Sequence, residues 1–151
     1  MIGESPMSSE TIKHLEFIQG AINRMAANSF QMKGWAITIF SALLALFAAS
    51  GGAQAIYLFV AVVPTILFWC LDTYYLQQER KFRGVYNDVA EITPVERRKE
   101  VKLFAMPLNE YSGGKYSYWN VMWSPTVCPL YLVIVLGAWV GGFIMLLIQC
   151  A

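Results

Sequence analysis

The residues of this chain with a type and spacing suited to chemistry are cations and carboxylates, not nucleophiles or metal ligands. Of 151 residues, 11 are Lys or Arg, 10 are Asp or Glu and one is His. Arg97, Arg98 and Lys99 stand in a row with Lys102 just beyond, and Arg80, Lys81, Arg83 and Lys115 occupy the same stretch. Consecutive cations hold phosphate through charge-assisted hydrogen bonds, either on a soluble anion such as a nucleotide or oligonucleotide or on anionic lipid headgroups. Glu91, Glu96 and Glu100 dilute the patch. Four more charged residues, Lys33, Asp72, Arg24 and Glu79, flank long uncharged runs and are candidates for ion pairing. Cys70, Cys128 and Cys150 are odd in number and widely spaced, which argues against a disulfide framework or a metal cluster; they are expected to pack as small hydrophobes. There is no nucleophile motif and no phosphate-binding glycine loop, so the sequence predicts neither an enzyme nor a bound cofactor or metal.

The elements that must position these charges are apolar helices. Residues 34–50 and 55–71 are uncharged hydrophobic runs joined by Gly51-Gly52-Ala53-Gln54 and followed at once by Asp72. A hydrocarbon core of ~30 Å needs ~20 mostly apolar residues as helix, and each run reaches that length with its flanks. A third run spans residues 129–147. With 57% hydrophobic residues, 14% charged residues and a mean hydropathy of +0.47, the chain reads as an all-α integral membrane protein with three transmembrane helices. Four segments follow: residues 1–33 as an amphipathic helix, 34–76 as a transmembrane hairpin, 77–127 as a helical and loop region, and 128–151 as the third span.

The leader carries Leu15, Ile18, Ile22 and Met25 at helical spacing and should run without a break into the first span. No cleavable signal peptide is visible, so that span is expected to be retained. Pro64 is expected to kink the second span. Beyond it, Leu76, Phe82, Val85, Tyr86 and Val89 mix with charged residues, as suits a helix continuing into water. Thr93-Pro94-Val95-Glu96 is a capping-box signature, predicting a short helix that holds Arg97, Arg98, Lys99 and Lys102 until Met106-Pro107. Residues 109–114 read as a loop, and Tyr116, Tyr118, Trp119 and Trp123 as a segment riding the membrane interface.

Lys and Arg are segregated: three precede the first span and eight lie between the second and third, which accounts for all eleven. The positive-inside rule then places the N-terminus and the 72–123 region in the cytoplasm, and the hairpin turn and C-terminus outside. Spans free of charge argue against a proton relay or a charge-coupled pump. Folding the hairpin about Gly51-Gly52 sets Lys33 opposite Asp72 and Arg24 opposite Glu79, two pairs that either fix register or latch an inner mouth. Gly34, Thr38, Ser41, Ala45 and Ala49 make a small-residue stripe expected to face protein, with Thr38 and Ser41 either packing or lining a pore. The third span repeats small-xxx-small twice, in Gly137 with Gly141 and in Ala138 with Gly142, favouring helix association.

The run from Leu15 to Ala26, with Asn28-Ser29-Phe30 and Lys33-Gly34-Trp35, resembles a family of small bacterial membrane proteins, as do Phe68-Trp69, Leu71-Asp72, Tyr74-Tyr75-Leu76, Gln78-Glu79-Arg80 and Phe82-Arg83. These are similar to the membrane effectors of anti-phage defence operons encoded beside a nucleotidyltransferase, in particular those of the Hailong type. The resemblance covers residues 15–89 in pattern and the remainder through the position of the last span. It implies a homo-oligomeric, tetrameric ion channel that depolarises the bacterial inner membrane and is held closed by a nucleotide product of the partner enzyme. No ligand-binding residue is carried over by it. Physical reasoning alone reaches an oligomer-prone three-span protein with a basic cytoplasmic region. A membrane scaffold docking a cytosolic partner is the competing expectation, and a small lipid kinase is disfavoured for want of acidic and phosphate-binding constellations.

Overall fold

The computed structural model describes residues 7–50 and 55–150, with side chains placed through Ile148. The turn predicted at residues 51–54 lies outside the described residues, as do residues 1–6 and Ala151. The fold is all-α: α1 (Ser9–Ala49), α2 (Ile56–Val89), α3 (Tyr118–Met122) and α4 (Cys128–Cys150), with short 3-10 turns at Val95–Arg97, Leu108–Glu110 and Gly114–Tyr116. Three of these helices, α1, α2 and α4, are long and apolar enough to cross a membrane.

Helix α1 begins where Ser8 accepts the Thr11 amide at 3.1 Å, satisfying one of the free N–H groups of its first turn. It then runs 41 residues without interruption, joining the amphipathic leader to the first span as predicted. At 1.5 Å per residue α1 is ~60 Å long and α2 ~50 Å, so both exceed a ~30 Å hydrocarbon core and project together beyond it. Helix α2 remains one helix through Pro64. It ends in a Schellman arrangement, with the Ile92 amide on the Asn87 carbonyl at 2.9 Å and the Glu91 amide on the Asp88 carbonyl at 3.3 Å. Glu91 takes the left-handed conformation (φ 58°) that glycine usually supplies. Arg98 holds it there, through an ion pair at 3.2 Å and a hydrogen bond to the Glu91 carbonyl.

Helix α2 is the central element, packed against α1 and against α4. In the projecting part, Ile18 and Ile22 of α1 bury with Val85 and Tyr111, flanked by Phe82, Tyr86 and Leu108. Gly84 makes this possible: a Cβ there would stand 2.6 Å from the Tyr111 ring and the Tyr116 hydroxyl. Nearer the spans, Ala36, Trp69, Val127 and Tyr131 form a second buried cluster that joins all three long helices. Further along, Ala138 is buried and Gly142 sits against Phe59, where a Cβ would come within 2.9 Å of the ring. One small-xxx-small pair is thus used inside the chain, between α4 and α2. The other differs: Gly141 lies near Leu58 and Gly137 faces open space.

Two expectations are corrected. The capping box at Thr93 does not start a helix; a single 3-10 turn forms and Arg98 is extended, because its guanidinium is drawn back to Glu91 and the Thr93 carbonyl while the Lys99 amide bonds Asp88. Arg24 does not meet Glu79, which pairs with Arg83 on its own helix. The reason is helical period: nine residues separate Arg24 from Lys33, about 180° around α1, whereas seven separate Asp72 from Glu79, which keeps both on the face of α2 turned to α1. Gly34, Thr38, Ser41, Ala45 and Ala49 are exposed in the single chain, so no other described part of this subunit covers the stripe expected to face protein.

Candidate functional site

Asp72 lies at the end of the second apolar run and is completely buried. Burying a carboxylate near a membrane is costly unless charge and hydrogen bonds compensate it, and here both do. Ser29 of α1 donates to Oδ1 at 2.5 Å, Lys33 Nζ donates to Oδ1 at 2.8 Å, and the same ammonium stands 2.6 Å from Oδ2 without hydrogen-bond alignment to it. Lys33 also donates to Ser29 Oγ at 3.1 Å. Ser29 and Lys33 are one turn apart, so α1 presents both on one face. The Tyr131 hydroxyl of α4 is buried and makes no hydrogen bond among the described residues. Its ring is stacked on Trp69, one turn before Thr73 on α2. The carboxylate thus joins α1 to α2, and the Trp69–Tyr131 stack joins α4 to α2 close by. Lys33 keeps 24% of its side-chain exposure, which leaves it a route to water.

A second arrangement lies on the projecting part of α2. Asp88 is buried, accepts the Tyr111 hydroxyl at 2.6 Å and takes the Lys99 amide at 3.4 Å. Burial first, and the neighbouring Asp88 carboxylate second, raise the Tyr111 phenol above its ordinary value. Lys99 Nζ lies 4.4 Å from the Tyr111 ring centre and donates to the Glu110 carbonyl. Around these groups opens a cleft of about 670 Å³ lined by Asn87, Asp88, Arg97, Lys99, Tyr111 and Lys115 among others. Cations, two tyrosine rings and exposed glycine backbone at Gly113-Gly114 give it the means to hold an anion and stack a flat group.

Of the predicted anionic-ligand residues, Arg97 and Lys99 line this cleft. Arg98 is turned away to Glu91, and Lys102 is exposed outside it. Of the predicted latch residues, Lys33 and Asp72 meet, while Arg24 is exposed and Glu79 is bonded to Arg83. Thr38 bonds the Gly34 carbonyl of its own helix at 2.9 Å. Ser29, Tyr131, Asp88 and Tyr111 were not singled out from the sequence. Ser29 carried a usable signal, four residues before Lys33 on the same helical face; the two tyrosines reach their partners only through tertiary packing. Among the described residues no cluster of His, Cys, Asp and Glu could hold a metal ion.

Compared with family models, curated proteins and solved structures, the chain matches none.

Proposed function

We propose that the chain is one subunit of a homo-oligomeric channel in a bacterial inner membrane, a defence effector that dissipates the membrane potential under control of a nucleotide or oligonucleotide. In this reading four subunits surround the pore, the N-terminus and the α1–α2 projection are cytoplasmic, and the C-terminus is outside. The observation that carries it is the continuity of α2. A single helix holds Asp72 at the boundary of the spans and Asp88 beside the basic cleft, sixteen residues or ~24 Å away. A ligand that shifts the cleft end of a rigid helix biases the ion-paired end as well, the physical requirement for coupling two sites. The resemblance of residues 15–89 to defence effectors supplies the direction: ligand bound, closed.

The reading as a non-channel scaffold draws on the exposed rings of Phe17 and Phe104 on the projection. Reconstitution separates the two. Purified protein in liposomes should pass monovalent ions, and one member of a panel of mononucleotides and short oligonucleotides should suppress the flux. Arg97→Gln with Lys99→Gln should weaken that suppression and flatten its salt dependence, since fewer counterions are released on binding. Liposomes that stay tight in every nucleotide condition would favour the scaffold.

A further inference from the structure

Residues 114–123 run back along α2 toward the spans, fastened at three heights. Gln77 donates to the Tyr116 carbonyl at 2.8 Å, the Tyr118 hydroxyl donates to the Cys70 carbonyl at 3.2 Å, and the Trp69 indole donates to the Met122 carbonyl at 3.4 Å. The segment thus descends from the polar projection to the level of the second span. Its outward residues are Trp119 and Trp123, one turn apart and 65% and 59% exposed. Indoles left facing outward at that level suit the boundary between acyl chains and headgroups, which accepts their apolar faces and their N–H groups together.

Farther along α2 on the polar side of these rings, beginning ~12 Å past Asp72, is a second, smaller pocket of about 290 Å³, lined by Arg80, Arg83, Gly84, Asn87, Lys115 and Tyr116. It has three cations and no carboxylate in its wall. Asn120 of α3 donates to the Gly114 carbonyl at 2.8 Å, which ties the tryptophan segment to the turn that carries Lys115. Lys115 Nζ stands 5.1 Å from the Tyr116 ring centre. Arg83 is bonded to the buried Glu79, yet its side chain is 64% exposed and its fork has further donors. Arg80 lies eight residues, ~12 Å, past Asp72 along α2, and its guanidinium donates to the Lys115 carbonyl at 3.5 Å, which sets these two cationic residues on one wall.

We propose that this pocket binds the phosphate of an anionic phospholipid from the adjoining leaflet, with the lipid's acyl chains lying along Trp119 and Trp123. The tryptophan segment leads, through the Asn120 bond to the Gly114 carbonyl, to the turn that carries Lys115 in the wall of the recess. A phosphodiester fits the recess by charge, and the attached chains fit the rings. The assignment depends on the three spans alone and stands whether or not the protein conducts ions.

Native mass spectrometry of the delipidated full chain in detergent tests it. Dioleoylphosphatidylglycerol should be retained in preference to dioleoylphosphatidylcholine. Arg80→Gln with Lys115→Gln should weaken retention about thirtyfold, the value two cations near an anionic headgroup imply. Lys13→Gln with Lys102→Gln, the same charge change elsewhere, should not. Trp119→Ala should lower phosphatidylglycerol retention, and inorganic phosphate should fail to displace the lipid. If the double variant elutes as an aggregate, Lys115→Gln alone carries the test, because its exposed side chain makes no hydrogen bond among the described residues. Equal retention of the two lipids, or full retention by the variant, overturns the proposal. Displacement by inorganic phosphate together with no effect of Trp119→Ala also overturns it, and assigns the pocket to a soluble phosphate instead.

Discussion

The rings of Trp69 and Tyr131 lie parallel, 5.8 Å between centres and 5° between planes, and this stack packs α4 on α2 three residues before Asp72, the carboxylate whose partners come from α1. Two substitutions separate ring from hydroxyl. Trp69→Ala should destabilise the fold by ~3–5 kcal/mol, as loss of a large buried ring does. Tyr131→Phe should shift stability by under ~1 kcal/mol, because that hydroxyl makes no hydrogen bond among the described residues. Unfolding titrations in mixed micelles measure both.

The two small-residue pairs of α4 should behave differently. Gly142→Leu places side-chain atoms inside the Phe59 ring and should destabilise the α2–α4 contact by ~1–3 kcal/mol. Gly137→Leu meets nothing within the subunit, so it should leave unfolding unchanged while lowering the oligomeric state in detergent, as read by particle mass. An unchanged mass would remove this part of α4 from the subunit interface.

Periodicity made the spans, the unbroken α1 and the meeting of Lys33 with Asp72 legible in advance. A charge-free run ending in a carboxylate leaves that carboxylate few places to find a cation, and hairpin geometry named one. The same geometry misplaced Arg24, because distance from the turn was weighed without rotation about the helix. The basic run at residues 97–102 is contiguous in sequence, yet its residues diverge: Arg98 serves Glu91, and the Lys99 amide serves Asp88. Nothing local in the sequence announces that Asp88 is buried. Its burial follows from Gly84 admitting Tyr111 onto α2.

Tyr111→Phe should loosen the residues around Lys99 and Glu110, since Asp88 loses its hydroxyl donor in a buried site, a loss of ~1–3 kcal/mol. Faster amide exchange confined to that region is the readout. The pH dependence follows from the raised phenol. The folded state holds that proton more tightly than the unfolded chain, so the contribution is complete below the ordinary value of 10.0 and falls as pH rises through and beyond it. The stability difference between parent and variant should therefore narrow above that pH.

Topology is checked by labelling. A cysteine at Gly52 should react with an impermeant reagent on intact cells, and one at Ser112 only after permeabilisation. The reverse pattern would place the basic cleft outside and rule out control by a cytosolic nucleotide.

If the Lys33–Asp72 pair holds the proposed channel shut, ion flux from liposomes with parent and variant protein at equal density reads it. Removing one partner of a desolvated pair costs ~3–5 kcal/mol, enough to reverse a closed-to-open balance of a few kcal/mol. With the suppressing nucleotide present, Asp72→Asn and Lys33→Gln should each leak while the parent stays tight, and the Lys33→Asp, Asp72→Lys exchange should recover part of the closure. Single variants that assemble normally and match the parent's flux with and without nucleotide would contradict the account, leaving the pair to fix helix register alone.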